Sequence, residues 1–147
     1  MDMQIICADL QAECAALEDV LLPLDEAAWN TPTPAPGWMV RDQISHLGTT
    51  DRVATVAAGD PELFVSTVAT QDRRERMARH LEMGRSMHGS ELLDWWREGR
   101  AAMLAVFLPL DPKSRIPWFG PAMSAISFAT ARLMENWAHG QDIVDAL

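Results

Sequence analysis

The chain has 147 residues, which is the length of one ordinary domain and is enough to bury an apolar core. Hydrophobic residues make up 48% of the chain and charged residues 22%, proportions typical of a folded soluble domain rather than of a disordered one. Its 12 Lys and Arg against 21 Asp and Glu give a formal net charge of -9, which repels phosphate backbones and anionic lipid surfaces. We therefore expect neither nucleic acid nor a membrane as a partner.

The N-terminus and the cysteines indicate the compartment. The chain has no run of 18 apolar residues, and Asp2 stands where a secretory signal would carry positive charge, so we expect a cytoplasmic protein. Cys7 and Cys14 lie two turns apart on one predicted helix, roughly 10 Å from each other, which is too far for a disulfide. We predict two free, buried thiols.

Apolar periodicity predicts helices throughout the chain. They cover residues 3–22, 40–59, 61–87, 90–109 and 124–147, the third of them polar. Proline-rich loops occupy residues 30–37 and 111–121, and no alternating β-branched run predicts a sheet. Four substantial amphipathic helices indicate an all-α fold, a helix bundle, with residues 1–147 as a single domain.

Two local features have a structural and a functional interpretation. The arginines at positions 73, 74, 76 and 79, diluted by Asp72 and Glu75, are typical of a solvated helix face, with a phosphate site as the alternative. Trp118 and Phe119 lie on the second proline-rich loop, where they would cover the core or form the wall of a pocket.

The last predicted helix carries three ligating side chains on one face. Glu135, His139 and Asp142 are spaced i, i+4 and i+7, which places them in one stripe. The same residues would also suit a solvated face with no function, with Glu135 paired to Arg132. The spacing is not the His-Glu-x-x-His of zinc proteases, so proteolysis is not implied.

A further histidine, His46, follows the first proline-rich loop on the second predicted helix. A lone histidine among apolar neighbours is usually a hydrogen-bonded core residue. A bundle can, however, bring His46 against Glu135 and His139. Two histidines and one carboxylate leave coordination positions open, as in catalytic sites of zinc and related metals.

Several segments resemble a known family. They are Trp29 with Pro32-Thr33, Pro36-Gly37-Trp38, Val40-Arg41-Asp42, Ile44-Ser45-His46-Leu47, and the run from Ala131 to Ile143. Together they resemble the N-terminal metal-binding domain of the mycothiol-dependent maleylpyruvate isomerases, within the DinB-like superfamily. The resemblance covers both ends of the chain in order, whereas residues 61–110 carry little of it.

The resemblance implies a DinB-like four-helix bundle with long connecting loops that holds a divalent metal. The metal is commonly zinc, with nickel as an alternative, and the ligands correspond to His46, Glu135 and His139. Asp142 then becomes a residue that supports the ligands or the helix, because catalysis needs open coordination positions.

The resemblance also implies a chemistry. A low-molecular-weight thiol such as mycothiol is the cosubstrate, and the metal activates it for attack on an electrophilic substrate in an S-transfer or an isomerisation. Trp38 would contribute to the apolar wall of the site. Arg41 and Arg132 are candidates to hold a substrate carboxylate, and each is equally a candidate for a plain ion pair.

Two other functions remain open from the sequence. One is a non-enzymatic metal- or ligand-binding module with a structural or regulatory role, and the other is a helical interaction domain without metal. Relatives often carry a C-terminal domain that contributes to the site, which we expect to be absent from this chain. A homodimer is the expected assembly.

Overall fold

The structure is a computed structural model, and it describes residues 2–147. Within this range six α-helices are joined by loops and two single 3-10 turns. The helices are α1 (Met3–Leu21), α2 (Val40–Gly59), α3 (Pro61–Ser66), α4 (Arg73–Ser86), α5 (Gly89–Phe107) and α6 (Ala125–Ala146). Two short strands, β1 (Arg115–Ile116) and β2 (Met123–Ser124), pair antiparallel.

The four long helices α1, α2, α5 and α6 form the predicted bundle, so the all-α fold class is confirmed. Helix α2 packs against α5 and α6, and α1 packs against α6 and α5. The shorter α4 lies outside this bundle and covers α2. Among residues 2–147, no helix combines the length and apolar character needed to cross a bilayer.

The core follows the apolar stripes of the sequence. Leu10, Ile44, Trp96, Phe107 and Phe128 are almost completely buried, and they come from four different helices. Burying a large apolar side chain stabilises the fold by about 1.5–3 kcal/mol. Because each long helix contributes one such stripe, the bundle is held together by its own core.

The helix boundaries depend on local capping. The Asp2 carboxylate accepts a hydrogen bond from the Ile5 amide at the start of α1, and Pro23 follows its end. The segment predicted as one polar helix, 61–87, is instead divided into α3 and α4, because the Asp72 carboxylate caps a new helix by accepting from the Glu75 amide. Helix α5 begins at Gly89, one residue before the predicted cap at Ser90.

The prediction that no sheet is present is wrong in one detail. The strands β1 and β2 pair Arg115 with Ser124 and Ile116 with Met123. Each strand has two residues, which is too short to show the alternation on which strand prediction depends. The pair closes the second proline-rich loop and thereby places Trp118 and Phe119.

The first proline-rich loop is equally ordered. Gly37 has φ +81°, a left-handed conformation that glycine adopts without steric cost. The Trp38 carbonyl accepts hydrogen bonds from both the amide and the hydroxyl of Thr33, each at 2.8 Å. This turn fixes the direction in which Trp38 leaves the loop.

We predict that both cysteines resist modification in the folded protein. Cys7 and Cys14 are free and buried, and burial raises the pKa of the Cys14 thiol to about 12, so little reactive thiolate forms at neutral pH. Alkylation by iodoacetamide, read by peptide mass spectrometry, should be slow for both in buffer and fast in denaturant. Rapid labelling of Cys14 in the folded protein would contradict its buried position.

A glycine at the contact between α4 and α2 gives a second prediction. A Cβ at Gly84 would lie 2.5 Å from the Cβ of Ser45, so Gly84→Ala should lower the free energy of unfolding by about 1–3 kcal/mol through overpacking. In Gly59→Ala, the matched control, the new Cβ meets only Val106 methyl groups at ordinary distances, and stability should not fall. Equal urea midpoints for the two variants would refute the close contact.

Candidate metal centre

Three ligating side chains meet at the junction of α2 and α6. His46 lies on α2, and Glu135 and His139 lie one turn apart on α6. One ligand atom from each, two imidazole nitrogens and one carboxylate oxygen, lie within 4.8 Å of one another. The structure thus brings together the three residues that the resemblance assigns to a metal.

Two contacts between α2 and α6 set the register that produces this cluster. On one side of the cluster, a buried ion pair joins Arg132 to Asp51 at 2.9 Å. On the other side, Gln43 contacts His139 at 2.6 Å. His46 lies between Gln43 and Asp51 on α2, so the same register places its ring beside those of Trp38 and His139, at 5.2 and 4.6 Å between centroids.

Gln43 also determines which nitrogen of His139 carries the proton. Its amide nitrogen donates to Thr33 Oγ1 at 3.1 Å and to Asp142 Oδ2 at 3.3 Å. The amide oxygen is therefore directed at His139 and accepts from Nδ1–H. With Nδ1–H held by Gln43, Nε2 is the nitrogen that faces Glu135 and would bind a metal, and the proton of the Nε2–Glu135 hydrogen bond is the one that the metal would displace.

The protonation states suit a metal ligand set. Burial, followed by the neighbouring His139, lowers the pKa of His46 to about 4, which keeps its imidazole neutral at pH 7. The hydrogen bond from His139 lowers the pKa of Glu135, so that this group is a carboxylate. Metals bind the deprotonated forms of both groups, so few protons need to be displaced.

The residues fit a bound cation on geometric grounds as well. His139 Nε2 and Glu135 Oε2 are 3.1 Å apart, close to the spacing of about 3.3 Å between two ligands on a tetrahedral zinc ion. His46 Nδ1 is buried and has no hydrogen-bond partner among residues 2–147. An unpaired buried ring nitrogen is costly, and a nearby cation would offset that cost.

One wall of the centre is aromatic. The Trp38 ring lies 5.2 Å from the His46 ring and stacks on that of His139 at 6.1 Å, centroid to centroid. This is the side on which the first proline-rich loop covers the bundle. Trp38 therefore restricts the orientation of both imidazoles.

On the other side, the centre opens into a cavity of about 620 Å³. Its lining includes the polar side chains of His46, Glu135 and Arg132 and the aromatic side chains of Trp118, Phe119 and Phe128. The complete lining is His46, Thr50, Val53, Ala69, Gln71, Arg73, Arg76, Met77, His80, Trp118, Phe119, Met123, Phe128, Ala131, Arg132 and Glu135. A cavity of this size accommodates a small organic molecule.

The two arginines predicted to bind a substrate carboxylate occupy different places. Arg132 lines the cavity, but its guanidinium is paired with the buried Asp51. Arg41 lies outside the cavity lining, and it donates to Glu26, Asn30 and the carbonyl of Met87. This network fixes the loop before α2 and leaves Arg41 little capacity for a ligand.

Sequence reasoning missed several residues of the site. Gln43 lies three residues before His46, on the same face of α2. This spacing could have suggested that Gln43 supports the metal ligands. The prediction of a solvated face for Arg73 and Arg76 is incomplete, because with His80 they follow the spacing i, i+3, i+7 on α4 and all three line the cavity. The mixture of acids and bases in that segment concealed the stripe.

Gln43 gives a prediction about metal affinity. Gln43→Leu removes the acceptor for His139 Nδ1–H, so zinc affinity should fall by about 10–100-fold while helical content is retained. Gln141→Leu, an exposed position on α6, serves as the control and should bind zinc normally. Competition titration with a chromophoric chelator measures the zinc affinity of both variants. An unchanged zinc affinity in Gln43→Leu would contradict the role of the Gln43 amide.

Comparisons with known proteins identify the family of the chain. Residues 10–144 match the model of the mycothiol maleylpyruvate isomerase N-terminal domain. Two curated relatives from different strains of Mycobacterium tuberculosis, both described as uncharacterised, are 41% identical over 154 residues. The match covers 95% of this chain and 55% of each relative, so the chain spans about half their length.

The fold has solved counterparts. The crystal structure of a mycothiol-dependent maleylpyruvate isomerase superimposes with a TM-score of 0.76, covering 97% of this chain and 61% of that one at 12% identity. The crystal structure of a mutant of that enzyme superimposes with a TM-score of 0.75 and the same coverage. At this identity the superposition shows the fold alone. From the match over residues 10–144, the chain belongs to the mycothiol maleylpyruvate isomerase N-terminal domain family.

Proposed function

We propose that this domain binds one divalent metal ion and uses it to activate a low-molecular-weight thiol for S-transfer or isomerisation of an electrophilic substrate. The observation that supports this proposal is the cluster of His46, Glu135 and His139, of which His46 and Glu135 line a cavity. A structural metal site is normally enclosed by four protein ligands, whereas three ligands beside a cavity leave room for an exogenous one.

Five side chains of the centre take part in this proposal, three as ligands and two as supports. His46, Glu135 and His139 would hold the ion, with zinc the expected metal and nickel an alternative. When bound, the ion supplies a Lewis acid that lowers the pKa of a coordinating thiol. Gln43 keeps the proton on His139 Nδ1, and Trp38 keeps both imidazoles in place and limits the access of water.

The thiol proposed is mycothiol or a similar small thiol. It is supported by family membership, and by the solved structural neighbour, which is described as mycothiol-dependent. Cys7 and Cys14 are unsuited to replace it, because both are buried and burial raises the pKa of each thiol. The thiol of this proposal must therefore come from outside the chain.

Other sequence expectations stay predictions within this proposal. These are a cytoplasmic location, a homodimer, residues 1–147 as one domain, and the contribution of a separate C-terminal domain to the site in relatives. Both the structural neighbours and the curated relatives are longer than this chain.

Metal content tests the ligand set. Untagged wild-type protein, purified without chelator, should contain about one zinc or nickel ion per chain by elemental analysis. His46→Ala and His139→Ala should lose it while keeping their helical circular dichroism, because the bundle has its own core. His88→Ala, which changes an exposed histidine outside the cluster, should retain it. Metal retained in both cluster variants would refute the ligand assignment.

Thiol dependence separates the enzyme from a non-enzymatic binding module. In the cobalt-substituted protein, adding mycothiol should produce a sulfur-to-cobalt charge-transfer band that His139→Ala does not show. If cobalt binds but no thiol changes its spectrum, the site serves sequestration or structure and the proposed catalysis is refuted.

A further inference from the structure

A histidine outside the metal cluster lines the same cavity. His80 lies on α4 and shares the cavity lining with His46 and Glu135. It is not one of the three residues whose ligand atoms lie within 4.8 Å of one another. A small molecule held in the cavity can therefore contact the metal cluster on one side and His80 on another.

Helix α2 fixes the position of His80. The hydroxyl of Ser45, the residue before His46, donates a hydrogen bond to the His80 carbonyl. One turn further along α4, Gly84 lies against the same serine, since a Cβ on Gly84 would be 2.5 Å from the Ser45 Cβ. The contact between α2 and α4 thus places both His46 and His80 at the cavity.

The His80 imidazole has no structural partner. Among residues 2–147, its Nδ1 is buried and unpaired, and the hydrogen bond from Ser45 involves the main chain of His80 rather than the ring. Burying a ring nitrogen without a partner costs stability, so the fold gains no polar contact from this side chain. Because no hydrogen bond fixes the tautomer, Nε2 is free either to accept or to donate a proton.

His80 is also the lining side chain that is free for proton transfer. Among the residues that line the cavity, the side chains able to accept a proton near neutral pH are His46, Glu135 and His80, and the first two belong to the metal cluster. Burial, followed by the charges of Arg76 and Arg79, lowers the pKa of His80 to about 4. The ring is therefore neutral at pH 7 and readily releases a proton that it has accepted.

We propose that His80 is the proton acceptor and donor of the thiol reaction, a catalytic residue in addition to the metal ligands. This inference rests on the proposed function. His80 Nε2 takes the proton of the incoming thiol: the S–H bond breaks, its electron pair stays on sulfur, and an N–H bond forms. The sulfur then bonds to the electrophilic carbon. The electron pair displaced there takes the proton back from His80, which leaves the ring neutral for the next cycle.

The rate of thiol deprotonation tests this role. In the cobalt-substituted protein, stopped-flow mixing with mycothiol at pH 7 should show the sulfur-to-cobalt band growing at least about tenfold more slowly in His80→Gln, because a positioned base contributes about 10²–10⁴-fold. The final band and the cobalt content should not change. His80→Glu, which restores a proton acceptor, should recover much of the rate. His88→Gln, at an exposed histidine outside the cavity lining, is the matched control and should behave like wild type.

Other roles of His80 give different results. A wild-type rate in His80→Gln would refute proton transfer by His80 and leave the proposed thiol activation intact. Loss of cobalt from His80→Gln would also refute it, because His80 would then be a metal ligand. An equally slow rate in His80→Glu and His80→Gln would show that the ring acts by its shape, which overturns the proposal. Absence of the band in the wild-type protein would instead refute the proposed function, and this inference with it.

Discussion

The pairing of α2 with α6 is the contact on which the site depends. These helices place polar and charged groups inside an otherwise apolar bundle, and two pairs of these groups join one helix to the other. Arg132 with Asp51 and His139 with Gln43 form two cross-links with the cluster between them. A shift of one residue in either helix would break both, leaving charges and amides buried without partners at a cost of several kcal/mol. The register that satisfies the polar groups is thus also the register that assembles three metal ligands.

The sequence predicts the long helices well, because apolar periodicity is a local signal and each long helix has its own stripe. Helix α1 ends within a residue of the prediction, and α2 matches it. Prediction is weaker where a single contact decides the outcome. The cap at Asp72 divides a polar segment into two helices, and the pairing of Ile116 with Met123 closes a loop by long-range hydrogen bonds. Neither contact produces a periodic pattern of residues in the sequence.

The site could be predicted only in part. The i, i+4 spacing of Glu135 and His139 is visible within one helix, whereas the addition of His46 depended on a family resemblance, because no local pattern reveals which helices will be neighbours. Gln43 was missed, and Arg76 was assigned to a solvated face, for the same reason. Their roles come from contacts with His139 and Phe119, which are distant in sequence. Arg41 looked like a substrate ligand, but its burial against Glu26 became visible only in three dimensions.

X-ray absorption at the zinc edge tests the central claim most directly, because it reports the ligands of the ion itself. The zinc-loaded protein without added thiol should show a first shell of nitrogen and oxygen at about 2.0–2.1 Å, with outer-shell scattering from two imidazoles. Sulfur at about 2.3 Å should enter this shell only after a thiol is added. A sulfur ligand in the thiol-free protein, or scattering without imidazole, would contradict a centre built from His46, Glu135 and His139.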